Sequence, residues 1–208
     1  MKTTILLVDD HPAIRVALRS LLQRMLGVGE VLDVDNGQSA VDVAREKKID
    51  LVILDLELPK MGGLDVLPRL KNLNPETRIL VLSAQDPGIF APRVLALGAS
   101  GFVSKTQELT ELARAAEAVL AGYTVFPAEA TSTFGRHKET SHSRRIENLT
   151  NKELRIFQML AKGMSNKEIG EVLYISNKTV SSHKIRIMAK LSVKTLVELA
   201  ALARQHNL

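Results

Sequence analysis

Five side chains able to do chemistry together are spread along the first half of the chain: Asp9, Asp10, Asp55, Ser83 and Lys105. Each stands at the end of a short apolar run: TILLV ahead of the acid pair, LVIL ahead of Asp55, RILVL ahead of Ser83 and GFVS ahead of Lys105. Three carboxylates brought to one point attract a hard divalent cation that prefers oxygen ligands, Mg²⁺ before others. Beside such an ion Asp55 can act as a nucleophile towards phosphorus, because a carboxylate can form an aspartyl-phosphate. An ammonium and a hydroxyl would then hold the phosphoryl oxygens. Taken singly, each residue has a plainer use, as a helix cap, a turn hydroxyl or a solvated lysine. Their shared position at the ends of apolar runs is what favours the chemistry.

A short apolar run bounded by turn residues reads as a buried strand of a parallel sheet. In an open α/β sheet, ligands sit outside the carboxyl ends of the strands. Strands are expected at 4–9, 30–34, 51–55, 78–83 and 101–105. A first helix opens at Pro12 with Ile14, Leu18, Leu21, Leu22 and Met25 on its apolar face. Asn36-Gly37 makes a turn, and further helices cover about 39–46, 64–73, 89–97 and 108–121. Five strands alternating with five helices form a doubly wound α/β domain. Its strand ends deliver Asp9, Asp10, Asp55, Ser83 and Lys105 to one edge.

The 208 residues allow one large or two small domains, and 45% hydrophobic content suffices for packed cores. The absence of cysteine excludes disulfides and thiolate metal sites. The apolar stretch in MKTTILLVDD is too short for a signal peptide and no run is long enough to span a bilayer, so a cytoplasmic protein without a membrane partner is expected. Charge is unevenly shared. Residues 1–126 hold 14 Lys+Arg against 16 Asp+Glu, whereas residues 127–208 hold 14 against 7. Such an asymmetry directs the second part towards a polyanion.

Residues 127–147, PAEATSTFGRHKETSHSRRIE, hold few large apolar residues and read as a flexible connector. The remainder is expected to be helical. Thr150 and Glu153 have capping-box spacing, and Gly163 stops that helix. A short helix over about 166–173, a turn at Ile175 and Ser176, and a polar third helix follow the arithmetic of a helix-turn-helix. In the third helix Val180, Ile187 and Leu191 face inwards, which leaves Lys178, Thr179, Ser181, Ser182, Lys184 and Ile185 to meet DNA. A fourth helix, about 194–205, carries Leu196, Leu199, Ala200 and Ala203 on one face.

VDDHP at 8–12, LDLELP at 54–59, LSA at 82–84 and GFVSK at 101–105 resemble the receiver domain of two-component response regulators. That resemblance implies a flavodoxin-like domain over residues 1–124, with Asp55 accepting phosphate from a sensor histidine kinase or its phosphotransfer domain. It implies that Asp9, Asp10, Asp55 and the backbone carbonyl of Glu57 hold Mg²⁺. Ser83 would be the switch hydroxyl, Phe102 the aromatic that moves with it, and Lys105 the partner of the phosphoryl group. Ser83 stands where threonine is commoner, and Thr106 where many receivers have proline.

LTNKEL, GMSNKEI, YISNKTVSSH and the KL at 190–191 resemble the DNA-binding domain of LuxR, NarL and FixJ regulators, most closely the BvgA and EvgA branch. The resemblance implies a four-helix domain over 148–208, joined by a linker over 125–147, whose third helix enters the major groove. Its fourth helix would make dimer contacts, and RNA polymerase is a further partner of such regulators. Ser181 departs from a position where a basic residue is frequent. The combined expectation is a transcription factor switched by phosphorylation, active as a homodimer and fed by a hybrid kinase through a phosphorelay, rather than an enzyme. Two rivals stand beside it: a phosphorylation-independent regulator whose receiver only dimerises, and an aspartyl-phosphate phosphatase, for which Glu57 is a poor second acid.

Overall fold

The computed structural model describes residues 2–25, 27–128, 145–206 and 208. The chain divides into two compact units, Met1–Ser132 and Thr133–Leu208. In the first, strands and helices alternate: β1 (Thr3–Val8), α1 (Pro12–Leu22), β2 (Val28–Val34), α2 (Gly37–Glu46), β3 (Leu51–Leu54), α3 (Gly63–Leu73), β4 (Arg78–Ser83), α4 (Pro87–Ala96), β5 (Gly101–Ser104) and α5 (Leu109–Leu120). The strands form one parallel sheet in the order β2-β1-β3-β4-β5. Every residue of β3 is buried, which explains why its sequence is apolar without alternation. On one face Ile5, Leu7, Ile53, Leu80 and Val103 pack against Leu18 and Leu22 of α1 and Leu112, Ala116 and Val119 of α5. Each such Ile, Leu or Val side chain contributes about 1.5–3 kcal/mol by leaving water.

Element ends depart from the sequence pattern in informative ways. β1 and β5 stop one residue early, so Asp9 and Lys105 lie just past the ladder and are free to turn towards each other. Helix α2 starts at Gly37 because the Asn36 side chain accepts the Ser39 N–H at 2.9 Å. Helix α4 starts at Pro87, where the Asp86 carboxylate accepts the Gly88 N–H at 2.9 Å and proline supplies a helical φ. After α5 the chain comes back to the sheet. The Phe102 N–H donates to the Val125 carbonyl at 2.8 Å, and the Val125 N–H to the Ser100 carbonyl at 3.0 Å, giving β5 a short parallel neighbour. Packing of the first unit therefore runs one residue into the expected connector. Residues 129–144 of that connector lie outside the described residues.

The second unit holds α6 (Asn151–Ala161), α7 (Asn166–Leu173), α8 (Asn177–Leu191) and α9 (Leu196–Gln205), with Ile146 and Leu149 buried just ahead of α6. Capping boxes open α6, through Thr150 and Glu153, and α7, through Ser165 and Glu168. Between α7 and α8 the chain turns tightly: Tyr174 adopts φ 54°, and a Cβ on Gly170 would lie 2.7 Å from the Ile175 carbonyl oxygen. Only glycine leaves room for that approach. Val180, Ile187 and Leu191 of α8 are fully buried, as their spacing requires. Helix α9 begins at Leu196 rather than Lys194 and turns Leu199, Leu202 and Ala203 inwards, leaving Leu196 44% exposed.

Candidate functional site

The site in the first unit is built by sheet order. β1 and β3 are neighbours with Val8 opposite Leu54, so the next residue of each strand, Asp9 and Asp55, emerges at the same edge. The Asp55 N–H still donates to the Val8 carbonyl at 2.9 Å, which fixes where its side chain begins. Ser83 lies opposite Ser104, and Lys105, one residue on, donates its N–H to the Ser83 carbonyl at 2.9 Å. Four strands thus hold the site. Parallel pairing across a buried sheet makes it rigid.

Asp55 and Asp9 are buried, at 1% and 3% exposure. The Lys105 ammonium lies 2.7 Å from Asp55 Oδ2 and 2.7 Å from Asp9 Oδ2, bridging the two acids. The other oxygen of Asp55, Oδ1, accepts the Glu57 N–H at 3.0 Å. Burial pushes the Asp55 carboxyl above its ordinary range; Lys105 and the Glu57 N–H pull it back, and the Asp9 charge adds to the rise. Burial alone would lower Lys105, but the hydrogen bonds and charges of Asp55 and Asp9 outweigh it and hold the ammonium above its usual value. Ser83 is fully buried and its Oγ accepts the Gln85 N–H at 3.2 Å, which leaves the hydroxyl proton for another acceptor. Phe102, expected to move with Ser83, is already buried at 2% exposure.

Asp10 is half-buried, and His11, which the sequence reading passed over, joins the group. Its Nδ1 lies 2.7 Å from Asp10 Oδ1 and 3.3 Å from Asp9 Oδ1, and its backbone N–H donates to Asp9 Oδ1 at 2.8 Å. One ligand atom from each of Asp9, Asp10, His11 and Asp55 falls within 4.8 Å of the others. Two carboxylate oxygens in the group, Asp9 Oδ2 and Asp10 Oδ1, are buried and lie 2.7 Å from Lys105 Nζ and His11 Nδ1 respectively. Clustered carboxylate oxygens of this kind suit a hard divalent cation. The signal for His11 was its place directly after the acid pair.

In the second unit α8 carries every residue expected to meet DNA. Lys178, Thr179, Ser182 and Ile185 are exposed, and Ser181 and Lys184 are half-buried. At about 100° per residue, Lys178, Ser181, Ser182 and Ile185 share one strip of the helix, while Thr179 and Lys184 flank it. The Ser176 side chain caps the helix by accepting the Thr179 N–H at 3.0 Å. At the far end, Lys190 Nζ reaches Glu153 Oε2 at 2.7 Å and ties α8 to α6. Glu153 is buried; that burial raises its carboxyl, but hydrogen bonds from Lys190 and Thr150 prevail and hold it below the ordinary range.

Residues 5–117 match the family described as response regulator receiver domain, and residues 147–203 match the luxR family of bacterial regulatory proteins. A transcriptional regulator of Pseudomonas aeruginosa is 48% identical over 98% of this chain and 98% of its own. The virulence-factor transcription regulator BvgA of Bordetella pertussis is 44% identical over the full length of both. Among solved structures, the Salmonella typhimurium response regulator RcsB superposes with a TM-score of 0.78 at 25% identity, covering 99% of this chain and 98% of that one. RcsB in complex with DNA gives 0.75 at 25% identity, covering 97% and 98%. No described helix is long and apolar enough to cross a membrane.

Proposed function

This chain belongs to the two-component response regulators, a receiver domain joined to a LuxR-type DNA-binding domain, and from that membership we propose that phosphate on Asp55 controls its binding to promoter DNA. The observation that carries the proposal is the Asp55 carboxylate, buried at a strand end and gripped by Lys105 beside Asp9 and Asp10. The donor is the phosphohistidine of a sensor kinase or its phosphotransfer domain. A carboxylate oxygen of Asp55 attacks phosphorus, the new O–P bond forms as the N–P bond breaks, and the imidazole leaves and takes up a proton. Asp9, Asp10, Asp55 and the Glu57 carbonyl are the residues to hold Mg²⁺, with His11 beside them. When bound, the ion would offset the negative charge that otherwise keeps phosphate and carboxylate apart.

The residues of the chain then have distinct tasks. The Glu57 N–H holds one Asp55 oxygen and helps orient the carboxylate. Lys105 exchanges its carboxylate for a phosphoryl oxygen, and Ser83 donates its free proton to another. Burial raises the basicity of Asp55 and so its nucleophilicity. Phosphate would shift a population towards the DNA-competent homodimer. RcsB–DNA complexes and the family's role in transcription support α8 as the helix that enters the groove. We place the protein in the cytoplasm, acting at promoters where RNA polymerase is the final recipient of the signal, and supplied by a hybrid kinase.

Intact-mass measurement after incubation with Mg²⁺ and a small phosphodonor tests the chemistry. Wild type gains one labile phosphate and Asp55→Asn gains none. Equal uptake by both proteins would remove Asp55 from its role.

A further inference from the structure

We infer that Ile185 reads the methyl group of a thymine in the major groove, an assignment that rests on α8 being the helix that enters it. Ile185 is 68% exposed at the middle of α8. It lies about 160° around the helix from the buried Ile187, so it has no part in the core. Isolated apolar residues are ordinary on protein surfaces. What sets this one apart is its strip, where it follows Lys178, Ser181 and Ser182 along the face that a groove would meet. The chemistry of that strip is restricted. The Ser182 hydroxyl donates to the Lys178 carbonyl at 3.0 Å, so its proton is spent within the helix and Ser182 meets a base only as an acceptor. Ile185 offers neither donor nor acceptor.

Base edges in the major groove present hydrogen-bonding groups at every pair, and only thymine adds a methyl. An apolar side chain on the reading strip therefore discriminates by covering that methyl. Isoleucine suits the task, since a β-branched residue in a helix is held close to one χ1 rotamer and loses little freedom when covered. A lysine at the same place would instead seek guanine or a phosphate. The identity of residue 185 thus sets preference at one base pair of each half-site.

The test uses the full-length protein. Binding sites are selected from a random duplex library with and without phosphodonor, and each thymine of the selected site is then replaced singly by deoxyuridine, which removes only the methyl. Wild type is expected to lose about fourfold in affinity at one thymine per half-site, the worth of one buried carbon. Ile185→Ala should bind thymine and uracil versions of that position equally, while Lys178→Ala should bind more weakly overall yet keep the thymine preference. The inference is overturned if no replacement weakens wild type, or if Ile185→Ala keeps the same sensitivity. Failure to select any duplex would overturn the DNA-binding reading itself, and this assignment with it.

Discussion

Glu153 fastens α8 to the rest of its domain, and removing it should loosen that helix measurably. Its Oε2 accepts the Thr150 N–H at 2.9 Å, the Thr150 hydroxyl at 3.1 Å and the Lys190 ammonium at 2.7 Å. Loss of the capping box in Glu153→Ala costs about 1 kcal/mol. Loss of the charge-assisted bond to Lys190 costs about 1.5 kcal/mol, the low end for such bonds, because the lysine is 38% exposed and recovers water. The total, about 2.5 kcal/mol, corresponds to a fall of roughly 10–20 °C in the melting temperature of a unit this small. Glu153→Gln keeps an acceptor and should cost about half as much.

The carboxyl is held below its ordinary value of 4.5, so its contribution is complete above that pH and drains away as pH falls through the lowered value. Wild type should therefore show an acid-dependent loss of α6 and α8 amide protection below about pH 4.5 that Glu153→Gln lacks. Hydrogen exchange across both helices reads the two effects together. Unchanged protection in Glu153→Ala, or the same acid slope in Glu153→Gln, would refute the assignment of this pair as the fastening.

Other outcomes follow from the same structure. A carboxyl whose folded pKa is raised above 3.8 favours the fold at low pH and loses that contribution as pH rises from 3.8 through the raised value, so Asp55→Asn should stabilise the metal-free receiver at pH 7 in urea denaturation. A loss of stability would contradict this. Lys105→Met leaves Asp9 and Asp55 without their shared cation and should cost about 2–3 kcal/mol, part of which added Mg²⁺ restores in a thermal melt. Indifference to Mg²⁺ would count against the metal assignment. Gly170→Ala forces a Cβ towards the Ile175 carbonyl and should cost about 1–3 kcal/mol, with weaker binding to any selected duplex as α8 shifts. Wild-type melting and affinity in that variant would show that the turn tolerates a side chain.

The strands were legible because a buried parallel sheet needs unbroken apolar runs, and the strand ends were legible because the runs break at charged or hydroxyl residues. Asp9, Asp10, Asp55, Ser83 and Lys105 could be brought together from that alone, although their separation in the chain exceeds any local motif. The start of α4 was hidden, since Pro87-Gly88 looks like a turn until Asp86 is seen to cap it. His11 was hidden because one histidine beside acids has no periodicity to betray it. Helix α9 shows a different failure: its leucines fit two inward faces, and packing against α6 chose Leu202 over Leu196. Phe102 could be picked out from its motif, but its burial depends on three-dimensional packing that no spacing encodes.

The pairing of Val125 with β5 has a bearing on how the receiver can be cut from the rest of the chain. β5 is an edge of the sheet, and the Phe102 N–H of this strand and the Ser100 carbonyl just ahead of it are taken up by a residue that lies beyond α5. A fragment ended at Gly122 would keep every element of the α/β fold and yet bare the Phe102 amide and the Ser100 carbonyl along an open strand. Open edges recruit other extended chains. Self-association of such a fragment would then arise from the place of the cut, whatever the state of Asp55, whereas a fragment carried through Pro127 would bring its own cover.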